Sequence, residues 1–163
     1  MNVDLESLNT AVESLINRKT FLETVAQLSE EITHSPEAFV WSVIDLSSVK
    51  RELPEGIRSG WIFVLKKDVI SGCHYHPNSI QHMVMMKGQG MSKIAGEYRR
   101  MLQFGSANDS LANKWFVIEK GVPHEFFPEK EDMVVVSFHT CEANELEEVD
   151  CETGKSRVYE RSE

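Results

Sequence analysis

At 163 residues and 41% hydrophobic content, the chain has room for one domain with a real core. A net charge of −9 argues against nucleic acid or an anionic membrane as partner, since both demand a basic surface. No apolar stretch approaches the ~20 residues that span a bilayer, and Met1–Glu6 lacks a basic region followed by an apolar core.

The first third reads helical. Leu5, Leu8, Val12 and Leu15 recur at three and four residues and form one apolar face. A second helix is expected with Thr20 as N-cap and Glu23 reaching back to it, its apolar stripe running Phe21, Val25, Leu28, Ile32. Ser35-Pro36 ends or restarts it. Residues 1–38 are therefore expected to be a helical extension, and residues 39–163 a separate β domain.

From Phe39 the texture changes to short β-type runs: 39–45, 61–69, 80–86, 97–104, 115–118 and 133–140. Turn signals lie between them, among them Pro54-Glu55-Gly56, Gly88-Gln89-Gly90 and Ala95-Gly96. A closing strand pair is expected around 150–154, with Gly154 in its turn. Many short strands at this spacing predict an all-β sandwich or barrel. Trp61–Leu65 and Met133–Val136 are apolar at every position, as in strands buried on both faces by covering helices or at a dimer contact. Such surface exceeds what one small barrel needs, so a homodimer is expected. Cys73, Cys141 and Cys151 show no spacing pattern and read as reduced thiols in a cytoplasmic protein. From Glu142 to Glu163 the chain carries eight acids against three bases, read as a solvated face.

The most informative segment is Gly72-Cys73-His74-Tyr75-His76. Two histidines two apart on a strand point to one face. Gln81 and His82 open the apolar run that follows, and His124 lies beyond Gly121. Neutral imidazole suits divalent transition metals such as Zn, Fe, Ni and Cu.

This spacing resembles the cupin family. Its first motif runs Gly, five residues, His-x-His, three or four residues, Glu, six residues, Gly. His74 and His76 fall on the pair, Gln81 on the Glu, Gly88 on the closing Gly, and Asp68 on the opening Gly. In the second motif Gly121 and His124 match, while Asn113, Glu119 and Pro128 stand where the family has Gly, Pro and Asn. The resemblance covers about residues 60–140, with one copy of the motif pair. It implies a jelly-roll-type double-stranded β-barrel with a metal on His74, His76 and His124, and Gln81 as ligand or as a hydrogen-bond partner near it. Fe2+, Zn2+, Ni2+ and Mn2+ all remain open.

Met83, Met85 and Phe126 share strand parity with Gln81 and His124 and are expected to line an apolar pocket. His82 should face the other way and Cys73 point away from the metal, while His139 either has a pocket role or is an ordinary packed or surface histidine. Arg99 and Arg100 share a strand, so one faces inward to clamp a carboxylate or both form a surface pair. Tyr98 is a catalytic acid or a packing aromatic.

Three functions stay open. One is a non-haem Fe(II) dioxygenase-like enzyme on a small, anionic substrate. Another is a non-catalytic metal- or ligand-binding protein acting as sensor or accessory. The last, a metal-free sugar epimerase or isomerase, calls for a His/Tyr acid–base pair rather than His-x-His.

Overall fold

The computed structural model describes residues 4–159. The two ends of the sequence reading, residues 1–3 and the last acidic residues 160–163, lie outside the described residues. Helix α1 (Leu5–Ile16) is capped by Asp4, whose carboxylate accepts from the Glu6 amide at 3.0 Å. It buries Leu8, Ala11, Val12 and Leu15, the stripe read from the sequence plus Ala11. Helix α2 (Lys19–His34) buries Phe21, Leu28 and Ile32. Thr20 is not its N-cap. Only Asn17 and Arg18 separate the helices, so α2 starts at Lys19 with Arg18 at its cap position and no side-chain cap. The helix ends at Ser35, whose ψ of 140° is the extended conformation that a following proline imposes.

Eleven strands follow among the described residues: β1 (Phe39–Ile44), β2 (Ser59–Leu65), β3 (His74–Tyr75), β4 (Gln81–Lys87), β5 (Gly90–Ile94), β6 (Glu97–Arg100), β7 (Trp115–Ile118), β8 (His124–Pro128), β9 (Met133–His139), β10 (Glu147–Asp150) and β11 (Ser156–Val158). They form two antiparallel sheets, ordered β1-β2-β9-β4-β7 and β11-β10-β3-β8-β5-β6. The sheets face each other without closing into one hydrogen-bonded barrel, so the expected barrel is an open pair of sheets. Sequence patterning places most of the strands. It misses β5, a half-buried strand carrying Ser92 and Lys93, and runs β6 past its end at Arg100. The closing hairpin stands where expected, with Gly154 at φ +70°.

Two apolar layers result from strand alternation. Trp61, Phe63, Leu65, Met83, Met85, Val135 and Phe126 fill the space between the sheets. Ile62, Val64, Val84, Val134, Val136 and Phe138 face outward and are covered by α1 and α2. The Trp115 indole donates to Asn9 Oδ1 at 3.1 Å, tying α1 to β7. The all-apolar runs in β2 and β9 are thus buried within one chain, which removes the surface argument for a dimer. Gly88 fits its place for a local reason: its φ is +103°, and a Cβ there would lie 2.8 Å from the Asp132 carbonyl oxygen.

Cys73 and Cys151 are joined in a disulfide across 78 residues, correcting the reading of three reduced thiols. No spacing rule detects this bond, because only the β3–β10 pairing brings the two residues together. The thiol argument for a cytoplasmic location falls with it. Cys141 is the free, buried cysteine, and burial pushes its thiol pKa up. Among the described residues no helix is long and apolar enough to cross a membrane. Alkylation of the denatured, unreduced protein is expected to label one cysteine, and three after reduction; three labels without reduction would show the bond absent. Cys73→Ser is expected to lower stability by about 2–5 kcal/mol in chemical denaturation.

Candidate metal centre

Strand β3 is two residues long, and both its edges are occupied. His74 pairs with His124 of β8 on one side and with Asp150 of β10 on the other. Cross-strand partners project to the same face, so this register sets the His74 and His124 rings side by side, with centroids 4.3 Å apart. His76 lies on the same face, 5.3 Å from His74 and 5.2 Å from His124. One ligand nitrogen from each ring lies within 4.8 Å of the others.

Each imidazole is oriented by a backbone carbonyl. Nδ1 of His74 faces the Gly72 oxygen at 3.2 Å, that of His76 the Glu147 oxygen at 2.8 Å, and that of His124 the Val122 oxygen at 2.9 Å. A carbonyl only accepts, so each Nδ1 carries the proton and each Nε2 keeps a lone pair. Nε2 of His124, a residue 1% exposed, has no hydrogen-bond partner. An orphaned buried acceptor is costly, and a divalent cation is the group these three nitrogens fit.

Burial keeps the cluster neutral. Burial is the main cause that lowers His74 to about 4, opposed by its bond to Gly72. His76 is lowered to about 4 by burial and then by His74. His124 lies well below the ordinary histidine range for the same reasons. Neutral imidazole is the ligating form, so the site is ready for a metal at neutral pH.

Gln81 and Met83 face the cavity beside His74 and His76, as does Phe126. Met85 is buried in the same layer without lining that cavity. The Gln81 amide donates to Ser137 Oγ at 3.0 Å, while its Oε1 has no partner. Ser137 Oγ lies 3.3 Å from Nε2 of His139, whose Nδ1 is 2.8 Å from Ser79 Oγ. His139 is fully buried, its ring 5.1 Å from that of His76. It is a packed histidine, as expected, placed directly behind the cluster.

His82 is buried on the opposite face of β4 and stays out of the cluster. Neither arginine reaches the cavity. Arg100 pairs with Glu129 on edge strand β6, and the guanidinium of Arg99 lies 3.8 Å above the Phe116 ring. Tyr98 is 62% exposed.

The sequence reading missed Glu148. It lies in the acidic segment read as a solvated face, yet its side chain is 12% exposed. Its Oε2 stands 4.0 Å from Nε2 of His74. Oε1 receives Nε and Nη2 of Arg157, each at 3.2 Å, and the Tyr159 hydroxyl donates to Oε2. Burial raises the Glu148 pKa, and Arg157 opposes it. Tyr159 in turn lines the cavity. No local signal marks Glu148, because it lies beyond both histidine motifs among five other acids of the described C-terminal segment.

No protein-family model matches the sequence, and no curated protein matches it. Among solved structures, salicylate 1,2-dioxygenase from Pseudaminobacter salicylatoxidans aligns at a TM-score of 0.53 and 13% identity, over 76% of this chain and 34% of that one. The coconut allergen cocosin aligns at 0.52 and 12% identity, over 71% and 29%. Recombinant oxalate oxidase in complex with glycolate aligns at 0.47 and 18% identity, over 66% of this chain; this chain spans about half, 53%, of that one. The architecture defined by these sheets is the cupin fold. The chain has this fold, with an N-terminal pair of helices packed on one sheet, and its chemistry rests on its own site.

The depressed imidazole pKa values give a stability test. Unfolded histidines protonate near 6.5, whereas His74 and His76 hold off until about 4. Between those values the unfolded chain binds more protons, so the stability present above pH 6.5 is lost as pH falls through that window. Thermal midpoints of metal-free protein should therefore drop from pH 7.5 to pH 5. His74→Gln should make the drop smaller, and an unchanged slope would place that histidine outside the neutral cluster.

Proposed function

We propose that His74, His76 and His124 hold one divalent ion, Fe2+, Zn2+, Ni2+ or Mn2+. The cavity beside them then takes a small anionic molecule for oxidation of the non-haem iron dioxygenase type. The observation that carries this reading is the buried, partnerless Nε2 of His124, with a ligand nitrogen from each neighbouring imidazole within 4.8 Å. A metal bound by such a set supplies positive charge and open coordination positions for substrate and oxygen.

The chain's own residues do the rest. The carbonyls of Gly72, Glu147 and Val122 hold the rings in their ligating tautomer. Met83 and Phe126 exclude bulk water, which strengthens electrostatic attraction inside the cavity. The Gln81 Oε1 is free to accept a hydrogen bond from a bound molecule. A separate covalent nucleophile has no support: Cys73 is in a disulfide, and the Cys141 thiol is buried with its pKa raised. A metal-free epimerase has less support, since Tyr98 is on the surface, Tyr75 alternates to the strand face opposite His74 and His76, and the Tyr159 hydroxyl donates to Glu148. The cavity volume, about 30 Å³, favours a second reading, a metal-binding protein without turnover, because it holds little more than a water or two.

Metal content after anaerobic loading, followed by oxygen uptake with thiols, hydroxy acids and diketones, tests both. His76→Ala and His124→Ala should each cut metal occupancy sharply, and His82→Ala should leave it near wild type. Equal damage from His82→Ala would disprove the three-histidine set. Retained metal without turnover on any substrate would select the binding reading.

A homodimer is also proposed. Its support is now exposed apolar surface, Val43 of β1 at 47% and Leu22 of α2 at 57%. Sedimentation should give twice the 18.6 kDa chain mass; a value at 18.6 kDa would refute it.

A further inference from the structure

We infer that Glu148 supplies the negative charge of the metal centre, the charge that neutral Gln81 does not bring. The inference rests on the metal reading above and extends it to a residue outside both histidine motifs.

Three observations carry it. The first is register. In the β3–β10 pair Asp150 stands opposite His74 and Val149 opposite Tyr75, so continuing the antiparallel count sets Glu148 opposite His76, on the face of the histidine pair. The second is contact. Oε2 is 4.0 Å from Nε2 of His74, the nitrogen that its bond to Gly72 leaves as a lone pair. Glu148 itself lies outside the set of ligand atoms within 4.8 Å of one another, so its carboxylate acts on the ion as a charge beside the three imidazoles. The third is unused capacity. A carboxylate offers about four acceptor positions. Arg157 takes Oε1 with two nitrogens and Tyr159 takes one place on Oε2, which leaves Oε2 able to accept once more on the histidine side.

Burying an acid is costly unless cations neutralise it. Arg157 is 52% exposed and only partly desolvated with it, so a metal ion gives the carboxylate the second cation its burial calls for. A divalent ion and the Glu148 carboxylate together carry +1, with the half-exposed Arg157 guanidinium as the carboxylate's other cation. That charge still attracts a small anion and holds the metal more firmly than three imidazoles alone. Arg157 and Tyr159 then act as positioning residues, fixing the carboxylate and laying the β10–β11 hairpin against the cavity.

The experiment is zinc affinity, measured by competition with a chelating dye on wild type and Glu148→Gln. Glutamine keeps the size and an acceptor oxygen while removing the charge. The expected result is about 10–100-fold weaker zinc binding, with circular dichroism and the thermal midpoint of the metal-free protein close to wild type. Wild-type affinity in Glu148→Gln overturns this inference alone and leaves Glu148 as an anchor of the hairpin. A wild-type protein that binds no zinc overturns the metal reading itself. If Glu148→Gln does not fold, because Arg157 is left without its counter-charge, the comparison runs between Arg157→Met and Arg157→Met/Glu148→Gln. The same loss between those two supports the inference, and equal affinity overturns it.

Discussion

Two backbone pairings of His74 hold the centre together, one to His124 and one to Asp150. A two-residue strand cannot hold its own position; its neighbours supply the register. β8 brings the third imidazole to the first, and β10 brings the carbonyl that orients His76. Further bonds lock the same edge: the Cys73–Cys151 disulfide, the Cys151 amide to the Cys73 carbonyl, and the Asn78 side chain clasped between Glu145 and Glu147. A slip of one residue would turn His74 and His76 away from His124. Many constraints on a short strand are what a three-sided ligand cluster requires.

The helices matter to the site indirectly. They cover the outer face of the β1-β2-β9-β4-β7 sheet, and Ile62, Val64, Val84 and Val136 pack beneath them. With that face filled, the other face of the same strands is free to carry polar groups inward. Gln81, Ser137 and His139 therefore stand in a row behind the imidazoles, hydrogen-bonded to one another rather than to water. The price of the arrangement is desolvation, visible in the depressed pKa values of His74, His76, His124 and His139.

Much of this was legible from residue order. The apolar stripe of α1, the inward parity of Gln81 and Met83, and the outward turn of His82 all follow from the periods of helix and strand. The failures have physical causes of their own. Thr20 carries a capping signal, but the short joint after α1 starts the next helix before it. The apolar runs of β2 and β9 left covering helices and a partner subunit both open, and the chain's own helices cover them. Glu148 has the same local context as its acidic neighbours, and only the fold distinguishes it.

By itself the sequence determined what depends on neighbours along the chain: helices first and strands after, a histidine pair on one face, a third histidine after Gly121, and a glutamine where a carboxylate was expected. Only the tertiary structure decided what depends on neighbours across it. It joined Cys73 to Cys151 over 78 residues and set Glu148 beside His74, with no signal at either end to announce the contact. Strand periodicity states which face a side chain takes, but which strand lies opposite is settled by packing the whole chain at once.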